Sequence, residues 1–304
     1  MNTELTAYLA ITLLPFVLAL GATWWMARPG NKLAAIDKPN HRSMHSASTP
    51  RGGGLVIVGI FLGYEVVARF SGFSWFPSTP AMIGLILVAA ISYTDDRRAI
   101  SARARMLVHV LAALCLVAPI GASFGLSALM AISCVWCINL YNFMDGIDGL
   151  ATCMAMVGSA AIGLMVGASG HAAVLIPCHV IFCTCAGFLV FNLPPAKIFL
   201  GDVGSASMGY AMSMAVVFAL NESVQSRDPR DLLLVLLVFS PFLIDATFTL
   251  LRRAVAGEKV WEAHRSHIYQ RLALRLGAPR ALAIAFLLMV ACAAAAWPFA
   301  HKPL

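Results

Sequence analysis

Charge is scarce in this sequence. Of 304 residues only 12% are Asp, Glu, Lys or Arg, about half the share of an ordinary soluble domain, and just 14 residues are acids. Also missing are an internal repeat, a low-complexity tract and any polar stretch long enough for a soluble domain, so residues 1–304 read as one domain. Metal-thiolate spacing is missing too. The eight cysteines lie in or beside apolar runs, and neither Cys134 with Cys137 nor Cys183 with Cys185 has a matching second pair in a polar loop. They are expected to be packing residues, without a thiolate metal site.

What fills the chain is hydrocarbon: 60% of the residues are hydrophobic and the mean hydropathy is +0.83. One soluble core cannot absorb that much apolar surface, but a bundle of membrane helices can, because lipid becomes the solvent for most side chains. The expected fold is therefore an all-α polytopic membrane protein. Runs of the length needed to cross a bilayer lie near 5–26, 54–70, 79–94, 106–122, 125–143, 150–168, 172–191, 203–220, 232–251 and 281–299, which predicts about ten spans. The first run lacks a basic n-region and is followed by Arg28 and Lys32, so it reads as an uncleaved span with its N-terminus outside.

Alternation from that start puts loops 27–53, 95–105, 144–149, 192–202 and 252–280 inside and both termini outside. Of 21 Lys and Arg, 17 fall in those five loops, as the positive-inside rule requires. The net charge of +7 is thus one-sided. It faces anionic headgroups and anionic substrates rather than nucleic acid.

The chemistry-bearing residues collect on the same side. They occur in "DKPNHRSMHSASTPRGGG", "DDRRAISARAR", "NLYNFMDGIDGLA", "FNLPPAKIFLGDVGSASMGY" and "EAHRSHIYQRLALR". Five loops bringing Asp, Asn, His, Arg and Gly to one face suit an anionic ligand with a divalent metal. Asn139, Asn142, Asp145 and Asp148 are spaced by three, and at about 100° per residue a straight helix cannot aim all four at one point. The helix should break there, with Gly146 and Gly149 permitting it. Asp95 and Asp96 are adjacent, so their carboxylates should have different partners, one of them structural.

Asp202 lies between Gly201 and Gly204, where backbone N–H groups and a hard carboxylate suit phosphate and Mg²⁺ or Mn²⁺, and Ser205 is placed to cap the next span. His41, Arg42 and His45, with His264, Arg265 and His267, form two basic clusters suited to phosphate. Within the spans the only acids are Glu65 and Asp245. Glu65 is expected to pair with Arg69 at i+4. Asp245, after Pro241, is a functional candidate because an intramembrane acid is costly.

The motifs, in their order, resemble the polyprenyl-phosphate N-acetylaminosugar-1-phosphate transferases, of the glycosyltransferase 4 type, over nearly the whole chain. "HRSHIYQRL" is similar to the branch that initiates lipopolysaccharide O-antigen; the three-histidine run of the peptidoglycan branch is absent, which lowers a phospho-MurNAc-pentapeptide substrate. The resemblance implies transfer of an N-acetylaminosugar 1-phosphate, of GlcNAc or FucNAc type, from a UDP-sugar to undecaprenyl phosphate, with release of UMP and Mg²⁺ (or Mn²⁺) as cofactor.

It also implies Asp202 as a metal ligand with Asn142 as a second, and catalytic roles for Asp95, Asp96, Asp145 and Asp148. Lys38, Asn40, Arg42, His45, Arg51, Asn139, His264, Arg265 and His267 are implied as substrate-binding. A homodimer is left open. An organic-anion transporter is disfavoured because the acids collect at one surface rather than in matched midplane repeats. A CDP-alcohol phosphotransferase is disfavoured because "DGIDGLATCMAMVG" lacks that family's Ala-Arg and later acids.

Overall fold

The computed structural model describes residues 2–37, 48–71, 78–168, 172–226, 230–259 and 264–300. Helices cover all ten of the apolar runs: α1 (Asn2–Met26), α2 (Gly54–Phe70), α3 (Thr79–Asp95), α4 (Ala102–Val117), α5 (Phe124–Met144), α6 (Leu150–Ala168), α7 (Ala172–Asn192), α8 (Asp202–Ser226), α9 (Arg230–Val255) and, after a short α10 (Ile268–Leu276), α11 (Ala278–Ala300). Among the described residues six stretches are long and apolar enough to cross a membrane, and Thr12–Met26, Thr79–Asp95 and Leu150–Met165 form shorter apolar helices. The chain is a multi-pass, all-α membrane protein.

Helix α8 is the hub. Of its apolar window Asp202–Leu220, 83% is buried, against 22% for Phe124–Met144 and for Ala278–Pro298. The cause is its sequence of small residues, since close helix approach in lipid requires backbones without intervening side chains. A Cβ on Gly204 would lie 2.8 Å from the Cα of Gly54, and one on Gly209 would lie 2.6 Å from the carbonyl oxygen of Cys137. Helices α3 and α5 pack on α8, α6 and α1 pack on α7, and α9 packs on α11.

Two elements were not legible as apolar runs. A two-stranded antiparallel sheet, β1 (Ala35–Asp37) with β2 (Thr49–Arg51), occupies the first loop. The chain after β2 then docks on the α7–α8 loop: Phe199 N donates to Pro50 O, Gly52 N and Gly53 N to Phe199 O, and Gly54 N to Leu200 O. Helix α10 lies inside the predicted loop 252–280 and buries Tyr269, Gln270 and Ala273.

One of two local expectations meets a different arrangement. Ser205 does not cap α8, because that helix already begins at Asp202 and the Ser205 hydroxyl donates back to Gly201 O at 3.3 Å. Glu65 Oε2 is buried without a hydrogen bond, but the Arg69 charge acts on the carboxylate as the i+4 spacing predicts, and Arg69 also donates to Thr79 Oγ1 at 3.1 Å.

Candidate active site

The α5–α6 junction breaks where the spacing required it. Helix α5 ends at Met144, Asp145 adopts φ −84° and ψ 43°, and α6 begins at Leu150. Gly149 has φ +80°, a conformation that glycine adopts without the Cβ penalty. Gly146 is needed for space instead: a Cβ there would lie 2.0 Å from the Tyr269 hydroxyl. That hydroxyl donates to Phe143 O at 2.9 Å, so α10 clamps the end of α5.

This break forms one wall of a cleft of about 150 Å³. Asp145, Gly146, Ile147 and Asp148 line it together with Asp37, Arg51, Asn192, Phe199, Leu200, Gly201 and Ala278. Separate loops and the start of α11 therefore meet at one end of the bundle. Asp148 accepts from Ala196 N at 2.9 Å, which ties the α5–α6 break to the α7–α8 loop.

Asp95 and Asp96 do face different partners. Asp95 accepts from Ile100 N at 2.6 Å and pairs with Arg105 at 2.5 Å, an arrangement that closes the α3–α4 turn. Asp96, with its side chain 1% exposed, accepts from Asp202 N at 2.9 Å and Val203 N at 3.1 Å and pairs with Arg51 Nε at 2.9 Å. It thus caps the N-terminus of α8 from another helix, satisfying donors that a helix cannot satisfy itself. Gly201, at φ +76°, leaves room for this: a Cβ there would lie 2.8 Å from Asp96 Oδ2.

Arg51 joins the acids, hydrogen-bonding Asp202 as well as Asp96. Burial opposes its charge, but Asp202, Asp96, Asp37 and Asp145 more than offset that and hold the guanidinium firmly protonated. Arg105 lies 3.6 Å from Asp202 on the other side. Asp145 feels the reverse imbalance. Burial pushes its carboxyl well up, Arg51 pulls it down, and Asp202, Asp96 and Asp148 push it up again.

That local excess of carboxylate oxygen suits a hard divalent cation in charge and in donor type. Among the described residues no three His, Cys, Asp or Glu side chains form a ready cation cage. A Mg²⁺ ion needs only one or two carboxylates when substrate phosphates and water complete its shell. The residues present therefore fit such an ion if Asp202 exchanges its guanidinium partners for it.

Several predicted site residues stand elsewhere. Asn139 does not line the cleft: its amide donates to Val135 O at 2.7 Å and approaches His109 Nδ1 at 3.5 Å, because the helical rotation between Asn139 and Asp145 turns it toward α4. Asn142 points at α8, with its amide 3.4 Å from Ser205 Oγ. His264 contacts Ser266, Arg265 is exposed, and His267 is 2% exposed with Nδ1 on Asp245. None of these three lines the cleft. Lys38, Asn40, His41, Arg42 and His45 lie outside the described residues.

Two polar residues of the cleft escaped the sequence reading. Asp37 opens the "DKPNHRSMH" motif, and Asn192 stands in "FNLPPAKIF". Asn192, buried at 3% exposure, accepts from Gly149 N at 3.2 Å and Thr152 Oγ1 at 3.0 Å and donates to Ile198 O at 3.0 Å. A lone Asn at the end of an apolar run was the available signal.

Comparison with known proteins adds an independent line. Glycosyl transferase family 4 matches residues 78–220. A probable undecaprenyl-phosphate N-acetylglucosaminyl 1-phosphate transferase of Bacillus subtilis is 28% identical over 79% of this chain and 70% of its own length. A decaprenyl-phosphate N-acetylglucosaminephosphotransferase of Mycobacterium leprae is 30% identical over 81% of this chain and 72% of its own. The undecaprenyl-phosphate alpha-N-acetylglucosaminyl 1-phosphate transferase of Escherichia coli K12 is 26% identical over 81% and 71%.

Proposed function

Because this chain belongs to the polyprenyl-phosphate N-acetylaminosugar-1-phosphate transferases of glycosyl transferase family 4, and is a glycosyl-1-phosphate transferase, we propose that it carries N-acetylglucosamine 1-phosphate from UDP-N-acetylglucosamine to undecaprenyl phosphate. The product initiates an envelope polysaccharide, and the O-antigen is the one that the last loop resembles. The names of the three relatives support the sugar and the polyprenyl acceptor. The observation that carries the reading is the cleft that gathers Asp145, Asp148 and Arg51 at the loop end of the bundle. Because 17 of 21 Lys and Arg fall in the loops expected on that side, the cleft opens to the cytoplasm from the bacterial inner membrane.

In the reaction an oxygen of the lipid phosphate attacks the sugar-bearing phosphorus. A new P–O bond forms as the bond from that phosphorus to the bridging oxygen of UMP breaks, and the bridging oxygen leaves with the electron pair. A phosphate monoester has its second pKa near 6, so the nucleophile is largely a dianion at neutral pH and needs placement more than deprotonation. Asp95 and Asp96 are accordingly positioning groups, since their oxygens already hold the α3–α4 turn and the start of α8. Arg51 and Arg105, beside Asp202, supply planar forks for phosphate oxygens. Asp145 and Asp148 shape the nucleotide side of the cleft. Mg²⁺ or Mn²⁺, held by Asp202 with Asn142, would neutralise diphosphate charge and stabilise the leaving UMP.

The test is UMP release by purified protein with undecaprenyl phosphate, Mg²⁺ and a panel of UDP-sugars, with EDTA and no-lipid controls. UDP-N-acetylglucosamine should rank first, with release abolished in both controls. A panel led by a FucNAc donor would reassign the sugar. Silence from folded protein across the panel would overturn the reaction.

A further inference from the structure

Asp245 takes no part in the cleft just described, yet it is the most heavily engaged acid of the spans. It lies in α9 four residues after Pro241, with its side chain 7% exposed. Its Oδ1 accepts from Ile268 N at 2.9 Å and Thr249 Oγ1 at 3.2 Å and faces His267 Nδ1 at 3.1 Å, while Oδ2 accepts from Tyr269 N at 2.9 Å. An intramembrane carboxylate is tolerable only when its lone pairs are satisfied in this way.

Those four contacts have two consequences. The bonds from Ile268 N and Tyr269 N cap the first turn of α10, a helix too short to persist without outside help. The ring nitrogen facing a carboxylate is the one that carries the proton, because a lone pair there would repel the anion. His267 is therefore held with Nδ1 protonated, and its ring stacks between His264 at 4.8 Å and Tyr269 at 5.6 Å. Tyr269 in turn donates to Phe143 O and fills the space left by Gly146. One carboxylate thus fixes a line of rings that ends on the segment bearing Asp145.

We propose that Asp245 is a positioning residue of the transferase: it selects the Nδ1-protonated form of His267 and anchors α10, and through Tyr269 it holds Asp145 at the cleft. Asn at position 245 can keep its oxygen on Ile268 N, Thr249 Oγ1 and His267 Nδ1 and orphan only Tyr269 N, so a side chain with no acceptor is needed to isolate the histidine contact.

The catalytic part of this inference rests on the proposed transferase reaction; the Asp245–His267 link does not. The experiment pairs the two. Protein with ¹⁵N-labelled histidine in nanodiscs is compared as wild type, Asp245→Leu and Asp245→Glu, with His267→Gln assigning the resonance, and UMP release and the thermal midpoint are measured on the same samples. The wild type should show His267 protonated at Nδ1. Asp245→Leu, which offers no acceptor to the Nδ1 proton, should remove that signature and lower kcat at least tenfold with KM for the UDP-sugar within threefold, and Asp245→Glu should restore part of both. Wild-type His267 without a proton at Nδ1, an unchanged His267 signal in Asp245→Leu, or wild-type kcat in that variant, would overturn the proposal. Wild-type protein that releases no UMP would instead count against the reaction, and the spectrum would still decide the Asp245–His267 link.

Discussion

The replacement Asp96→Asn isolates what the buried carboxylate does for Asp202. Asp96 Oδ1 serves Asp202 N and Arg51 Nε, and Oδ2 serves Val203 N. If the new amide nitrogen takes the Oδ2 position it confronts Val203 N–H; if it takes the Oδ1 position it confronts Asp202 N–H and the guanidinium. Either way at least one donor at the start of α8 is orphaned beside a group that is 1% exposed. Loss of a cap together with a buried unsatisfied donor costs about 2 to 3 kcal/mol. If the whole cost falls on the transition state, turnover drops roughly 30- to 160-fold.

Steady-state UMP release at saturating substrates would measure this, with the thermal midpoint of the same sample as a folding control. The pH dependence carries a sign. Burial lifts Asp96 to about 6 against the pull of Arg51, so below that pH the wild type itself becomes protonated and approaches the Asn variant. The ratio of wild-type to variant rate should shrink as pH falls through about 6. Turnover within threefold of wild type at pH 7.5, with an unchanged midpoint, would refute the capping argument.

Asp202→Asn should lose most of its activity with expression intact, and near wild-type turnover at saturating Mg²⁺ would remove Asp202 from the cation's ligands. Gly54→Ala should destabilise by about 3 kcal/mol or more, since the new Cβ would lie 2.0 Å from the Cα of Gly204 and backbone cannot step aside; a monodisperse variant with an unshifted thermal midpoint would contradict that packing. Asn192→Ala leaves Gly149 N, Thr152 Oγ1 and Ile198 O without their partner and should cost about 2 to 4 kcal/mol. Chemical or thermal unfolding in detergent would measure it, and a shift too small to detect would mean that water replaces the amide.

Composition and hydropathy were enough to make the chain a membrane bundle, because no soluble core can absorb so much apolar surface. Period was enough to locate the break after Met144: four polar residues spaced by three cannot share one face of a straight helix. Gathering of basic and acidic residues in alternate loops was enough to place the chemistry at one end. What remained open was rotation about each helix axis and the partner of each charge. Asn139 turns to α4 while Asp145 enters the cleft. Asp95 and Asp96, neighbours in sequence, serve different turns. Asp245 and His267 meet across 22 positions. Sequence period fixes where a helix is apolar and where it must stop, but the contact that a buried donor or acceptor makes is set by which neighbouring helix packs closely enough to reach it. Here that was decided by the small residues of α8 and by the fold-back of α10.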